Sequence, residues 1–147
     1  MVNIEPVNWE KMEWEIVRPG VKRKVFHAEG CTVVLNAVEP GNQPKPHSHP
    51  YEQIVYILQG EGDFTVDSKV FKLTAGSLLA IPPDVEHFIK VVGRETCLDL
   101  DIFIPRREDY IQSKIKEETL QAEKIASGGE IISKLTGRMD IHGNFEE

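Results

Sequence analysis

The sequence of 147 residues lacks the features that build secreted, membrane-spanning or nucleic-acid-binding proteins. Its two cysteines, Cys31 and Cys97, lie far apart without a CxxC spacing, which argues against a disulfide framework or a thiolate metal site. No apolar run approaches the roughly eighteen residues of a membrane span, and the acidic N-terminal segment does not resemble a signal peptide. The formal charge of −7 disfavours binding to nucleic acids or anionic membranes. These absences predict a globular, cytoplasmic protein.

Short segments rich in β-branched and aromatic residues recur between Gly, Pro and Asp-Ser turns. They span residues 24–27, 32–38, 53–58, 63–66, 70–73, 77–81, 87–92 and 97–104. Strands of this length and spacing are typical of an all-β sandwich or barrel. We therefore expect one all-β domain, either a sandwich or a barrel.

The pattern changes after the segment "IPRRED". Ile111, Ile115, Ala122 and Ile125 recur at roughly helical spacing among good helix formers, which predicts a helical tail. A second short amphipathic turn is expected in "EIISKLTGRM", after the glycines that follow this helix. We divide the chain into a barrel over residues 1–106, which includes an N-terminal strand segment, and a helical C-terminal extension over residues 107–147.

The stretch "GNQPKPHSHPYEQIVYILQG", residues 41–60, holds the densest group of candidate metal ligands. If it is extended, His47, His49 and Gln53 share one face, whereas Glu52 points to the other. Two imidazoles on one face can hold one divalent ion, and His87, after the proline-stiffened "IPPD" loop, offers a third. The parity makes Gln53, and not Glu52, the oxygen donor.

Simpler interpretations compete with this one. The three histidines can be ordinary polar loop residues, and Gln53 can be a strand glutamine that only hydrogen bonds to a neighbour. His27 closes an early strand, and His142 lies in the polar C-terminal segment, so neither is a strong ligand candidate.

The spacing of these residues resembles the first motif of the cupin family. That motif is a glycine, five residues, His-x-His, three residues, an acidic residue, six residues and a glycine. Gly41, His47, His49, Gln53 and Gly60 match it without a gap, with glutamine in the position that usually holds glutamate.

The second cupin motif is matched by Gly76, Pro82 and His87. Asp84 stands in place of a usual glycine, and Val91 in place of a usual asparagine. The resemblance covers roughly residues 20–105 and implies a small β-barrel with a metal site of three histidines and one oxygen ligand. It also implies one divalent ion, of nickel, iron, manganese, zinc or cobalt, and a homodimer formed through exchanged terminal strands.

Within the cupins, "HSHPYEQIVYILQG" looks most like the branch of KdgF-like pectin-degradation proteins, in which the glutamine is a ligand. The segment "LDLDIFIPRREDY" resembles that branch as well, and aligns Asp101, Phe103 and Arg107 with its active-site Asp, Phe and Arg. Strand parity independently places Asp99, Asp101 and Phe103 on one face. The resemblance implies ring opening and ketonisation of 4,5-unsaturated monouronates, which are small anionic substrates.

Two of these residues have simpler roles available: Asp101 as a structural carboxylate, and Arg107 as a solvated residue at the start of the tail. Other chemistries use the same ligands, so two further functions stay open. One is a metal-dependent dioxygenase or lyase that acts on a small organic substrate. The other is a non-catalytic cupin that binds a small molecule.

Overall fold

The computed structural model describes residues 4–127. Its strands are β1 (Glu15–Arg18), β2 (Val21–His27), β3 (Thr32–Val38), β4 (Glu52–Gln59), β5 (Glu61–Val66), β6 (Lys69–Thr74), β7 (Leu78–Ile81), β8 (His87–Lys90) and β9 (Cys97–Ile104). A short 3-10 helix, Trp9–Lys11, precedes them, and helix α1, Glu108–Ser127, follows.

The strands form two antiparallel sheets, with the order β1-β2-β3-β9-β4-β7 in the larger and β6-β5-β8 in the smaller. The long β9 lies at the centre of the larger sheet because it pairs with β3 on one side and β4 on the other. This architecture confirms the predicted all-β barrel with a C-terminal helix.

Alternation along the strands separates an inner from an outer face. In β9, Cys97, Asp99, Asp101 and Phe103 are buried, while Leu98, Leu100 and Ile102 between them are only partly buried. An apolar core fills the inside; its members include Val38, Val55, Ile57, Phe64, Val66, Leu73, Ile81, Val91 and Cys97. Complete burial of aliphatic side chains in such a core stabilises the barrel by roughly 1.5–3 kcal/mol per residue.

Two tight connections between strands use residues with positive φ angles. The β5–β6 hairpin turns at Asp67 and Ser68, whose φ angles are 51° and 70°, as a two-residue hairpin turn requires. Gly60, at φ 78°, lies so close to the Thr96 carbonyl that a Cβ atom would be 2.8 Å from that oxygen. Glycine therefore joins β4 to β5 without a clash.

The observed elements extend the predicted ones at the N-terminus. Strand β2 begins at Val21, before the predicted residue 24, and β1, in the expected N-terminal strand segment, pairs with it in the same chain. The second amphipathic turn and His142 lie outside the described residues. Among the residues that are described, no helix is long and apolar enough to span a membrane.

Candidate metal centre

Three histidines from separate parts of the chain meet at one end of the barrel. His47 forms an isolated β-bridge with His87, the first residue of β8. His49 lies two residues after His47 in the chain. One ligand nitrogen from each ring lies within 4.8 Å of the other two. The structure therefore brings together the three histidines that the sequence singled out.

Backbone contacts position His49 and its loop. The amide of Asp84 donates to the carbonyl oxygen of His49 at 2.8 Å, which ties the "IPPD" loop to the histidine segment. Asp84 adopts a φ of 66°, a left-handed conformation that aspartate tolerates better than most residues. This explains how aspartate can replace the glycine that cupins usually have there.

All three imidazoles are oriented by hydrogen bonds from Nδ1 to carbonyl oxygens. The distances are 2.7 Å from His47 to Lys45, 3.0 Å from His49 to Tyr51 and 2.9 Å from His87 to Val85. A carbonyl oxygen only accepts, so Nδ1 carries the proton in each ring and Nε2 presents a lone pair. Metal-binding histidines are commonly fixed in this way.

Gln53 lies beside the histidines near the start of β4, where it is buried while its neighbour Glu52 is exposed on the opposite face. Its Oε1 atom lies 3.0 Å from Nε2 of His49. Since Nδ1 of His49 donates to Tyr51, the facing atoms both carry lone pairs and repel. A cation bound by both atoms would remove that repulsion.

The environment of His87 fits a metal ion as well. Its Nε2 atom is buried and has no hydrogen-bond partner among the described residues. Burial lowers the pKa of His87 to about 4, so the ring is neutral near pH 7. Three imidazoles and one amide oxygen match the ligand preferences of the divalent transition metals expected from the sequence.

Two buried carboxylates of β9 lie in the same cavity, which has a volume of about 100 Å³. Oδ2 of Asp101 accepts a hydrogen bond from Nδ2 of Asn36 at 2.8 Å, while Oδ1 has no partner in the described part of the chain. Burial raises the pKa of Asp101 to about 6, against the effect of hydrogen bonds from Asp99, Gln53 and Asn36.

Asp99 lies in the same buried environment as Asp101, and burial changes its pKa more strongly. Burial, reinforced by the negative charge of Asp101, raises the pKa of Asp99 well above its usual value. Two adjacent buried carboxyls do not ionise together, so Asp99 keeps its proton to higher pH than Asp101. Asp101 is then the carboxylate that is ionised near neutral pH.

Arg107 and Phe103 form the wall nearest the C-terminal helix. The Phe103 ring packs edge-on against His49, with centroids 5.3 Å apart, and the guanidinium of Arg107 lies 4.7 Å from the Phe103 centroid. Arg107 is not a solvated tail residue: it is buried, and its Nε and Nη2 atoms donate to the two oxygens of Asp109 at 3.2 and 2.7 Å.

Several residues of the cavity were not predicted as site residues, although parity could have found some of them. Asn36 is an amide on the inner face of the otherwise apolar "TVVLNAV", and Asp99 shares the parity of Asp101. Tyr110, on the first turn of α1, and Arg23, on β2, also line the cavity. No local pattern marks these two, because they reach the site only through the packing of β2 and α1.

Known proteins share the sequence pattern of this barrel. Residues 34–103 match the model of the cupin domain. The barrel of this chain is a cupin domain. This result confirms the resemblance seen in the two sequence motifs, and it agrees with the two-sheet barrel.

Solved structures of other cupins support the same conclusion. KdgF from Halomonas sp. is 27% identical, with a TM-score of 0.64 over 69% of this chain and 94% of that chain. An RmlC-like cupin from Shewanella frigidimarina is 28% identical, with a TM-score of 0.65 over 74% of this chain and 96% of that one.

Among curated proteins, dimethylsulfoniopropionate lyase DddW from Ruegeria pomeroyi is 39% identical over 57 residues, which are 37% of this chain and 38% of the lyase. The matches span between 23% and 61% of the length of the curated relatives. The chain therefore matches only part of each of these relatives.

Proposed function

We propose that this protein is a metal-dependent isomerase that opens and ketonises 4,5-unsaturated monouronates or a related small oxo-acid. The observation that carries the proposal is a conjunction within one cavity. Ligand atoms of three clustered histidines and of Gln53, a carboxylate oxygen that has no hydrogen-bond partner among the described residues, and a guanidinium meet at this cavity. The similarity to KdgF supports the same class of substrate.

His47, His49, His87 and Gln53 would hold one divalent ion, of nickel, iron, manganese, zinc or cobalt. When bound, such an ion would act as a Lewis acid toward a substrate oxygen, with its charge uncompensated by these neutral ligands. Gln53 contributes to this because a glutamate in its place would add a negative charge.

Asp101 is the proposed proton carrier. Ring opening takes a proton from the C1 hydroxyl as the bond between C1 and the ring oxygen breaks, and ketonisation adds a proton at C4. One carboxylate that accepts and then returns a proton therefore balances the reaction, which needs no oxidant or reductant. Oδ1 of Asp101 suits this role because it has no hydrogen-bond partner among the described residues.

Phe103 and Arg107 are proposed to orient the substrate. The Phe103 ring forms an apolar wall beside His49, against which a flat unsaturated ring can pack. Arg107 offers a planar guanidinium, a suitable partner for a carboxylate, although Asp109 occupies two of its donors in this structure. Substrate binding through Arg107 would therefore use its remaining donors or displace Asp109.

Turnover of an unsaturated monouronate tests the proposal directly. The conjugated C4–C5 double bond absorbs in the ultraviolet, so metal-loaded protein should accelerate the loss of that absorbance. Chelator-treated protein is the control. If metal-loaded protein leaves both pectin-derived and alginate-derived unsaturated monouronates untouched, the isomerase proposal is wrong.

A second candidate is a metal-dependent lyase or dioxygenase on a small organic substrate. The match to the lyase DddW is the observation that favours a lyase. β-Elimination would also need a base such as Asp101, but it would not need the guanidinium. Oxygen consumption would identify a dioxygenase, and tight ligand binding without turnover would identify a non-catalytic cupin.

We also propose that the protein forms a homodimer and works in the cytoplasm, where two free cysteines are compatible with reducing conditions. The outer face of the larger sheet carries apolar rows across its central strands: Leu35, Leu100, Tyr56 and Leu78 are successive partners in one row. Leu78 is 68% exposed, so a second copy can cover this face.

The dimer proposal has a simple test. Light scattering should give twice the mass of the chain, and Leu100→Glu should give a monomer. Val70→Glu, at a position that is 65% exposed on β6 of the other sheet, is the matched control. A monomeric wild-type protein would contradict the proposal.

A further inference from the structure

Two arginines lie against the same aromatic ring at the cavity. The Tyr110 ring has the guanidinium of Arg107 at 3.9 Å from its centroid and that of Arg23 at 4.2 Å. All three residues line the cavity that holds the candidate metal centre. The wall at this point therefore carries two positive charges, which favour an anionic ligand.

The two guanidiniums differ in how far they are neutralised. Asp109 engages Arg107 through both carboxylate oxygens, which fills one edge of its fork. Tyr51 donates to the same carboxylate at 3.2 Å and adds a third contact to this arrangement. An internal carboxylate thus already occupies one edge of the Arg107 guanidinium and neutralises much of its charge.

Arg23 has a weaker internal partner. Its Nε atom lies 3.3 Å from Oε1 of Glu15, a single long contact, and the Glu15 side chain is 39% exposed. Oε2 of Glu15 also lies 3.9 Å from Nζ of Lys114. Within residues 4–127, neither terminal nitrogen of Arg23 donates a hydrogen bond.

Arg23 is partly buried and is held in one orientation. Its side chain is 23% exposed, so the guanidinium is partly withdrawn from water yet still accessible to a ligand that enters the cavity. Tyr110 supports the flat face of the guanidinium, which restricts its orientation. A preoriented fork of this kind loses little entropy when it binds a planar carboxylate.

We propose that Arg23 binds the carboxylate of the sugar-acid ligand, whereas Arg107 is mainly paired with Asp109. The inference rests on the proposed function only for the class of ligand. It assigns a specificity residue to β2, outside the histidine motifs and outside the β9 segment that suggested Arg107.

Binding of D-galacturonate and D-galactose to the full-length, metal-loaded protein separates this role from turnover. The two probes differ in the carboxylate, and calorimetry measures their affinities. Arg23→Gln should weaken galacturonate binding by about tenfold or more, because charge-assisted bonds to a carboxylate are lost, and should leave galactose binding unchanged. Glu15→Gln should strengthen galacturonate binding, because it frees the guanidinium from its internal partner.

Lys22→Gln is the matched control. It removes the same charge from the adjacent position of β2, where the side chain packs on Trp14 instead of lining the cavity. It should bind galacturonate like the wild type.

Several results would overturn the inference: no galacturonate binding by the wild type, equal losses for both sugars in Arg23→Gln, or unchanged binding in both the Arg23 and the Glu15 variants. If Arg23→Gln fails to fold, the Glu15 variant decides. Selective galacturonate binding without turnover of unsaturated uronates would instead contradict the proposed isomerase and leave this inference standing.

Discussion

The two ends of the barrel interior differ in chemistry although the same strands build both. Strand β4 presents Gln53 at one end and then the fully buried Val55 and Ile57 toward the other. Strand β9 runs the opposite way, with Cys97 among the apolar residues and Asp101 in the cavity that His47 and His87 also line. The sheet therefore changes from core to candidate site within a few residues.

This difference separates stability from chemistry. At the apolar end, burial stabilises the fold by about 25 cal/mol per Å² of apolar surface. At the polar end, three buried atoms, in His87, Asp99 and Asp101, have no hydrogen-bond partner in the described part of the chain. Each such atom costs about 1–3 kcal/mol unless it is satisfied by a ligand or water. Substitutions at the two ends should therefore have distinct effects.

The largest effect is expected for His49→Ala at the polar end. Loss of one imidazole removes one of the proposed ligands, so bound metal should fall from about one ion per chain to almost none. Elemental analysis of the purified protein measures this. Since metal bound only by the folded state stabilises it, a chelator should lower the melting temperature of the wild type and not that of the variant.

His27→Ala is the control for this comparison. His27 lies on β2 and hydrogen bonds to Thr32 through Nδ1, apart from the three clustered histidines. It should retain the full metal content. Retention of metal by a variant with alanine at 47, 49 and 87 would remove the basis for the metal centre.

The second effect is expected for Asp101→Asn. An amide cannot accept and return a proton, so turnover should fall on the order of a hundredfold or more while the metal content stays the same. Ultraviolet absorbance of the unsaturated uronate measures turnover. Asp63→Asn, which changes a surface ion pair with Lys72, should leave turnover intact. Full activity in Asp101→Asn would assign the proton transfer to another group.

The sequence predicted the parts of this site that depend on local spacing. The His-x-His motif and the parity of Gln53 lie within one short stretch, and Asp101 and Phe103 lie on one face of one strand. The stretch is not a continuous strand, since β4 begins only at Glu52, yet the inner face of Gln53 was predicted correctly. Its role as a ligand remains a prediction.

The remaining residues could not be predicted because their positions depend on register between distant segments. Asn36 reaches Asp101 because β3 pairs with β9, a contact between residues 65 positions apart. Arg23 meets Tyr110 only after α1 turns back across β2. The pairing of Arg107 with Asp109 is local, but its consequence for substrate binding depends on the packing around both residues.

The third effect is expected for Gln53→Glu. This variant tests whether activity depends on the proposed ligands being uncharged. The added negative charge should keep the metal bound and reduce its Lewis acidity, so activity should fall by about tenfold. Glu52→Gln, at the exposed neighbouring position, should change neither property. Metal loss in Glu52→Gln, with none in a Gln53→Ala variant, would mean that Glu52 is the ligand.

The smallest effect is expected at the apolar end, for Ile57→Val. Ile57 is 0% exposed, so removal of one methyl group should lower the free energy of unfolding by about 0.5–1.5 kcal/mol. Urea denaturation at fixed metal concentration measures the loss, and Val70→Ala on the surface should change it by less than about 0.5 kcal/mol. Metal content should be unchanged, because Val55 lies between Ile57 and Gln53 on the inner face of β4, and turnover should be unchanged as long as Asp99, the cross-strand partner of Ile57, keeps its position. A fall in turnover that parallels the loss of stability would show that the two ends are coupled, in which case packing of the apolar end also sets the geometry of the metal centre.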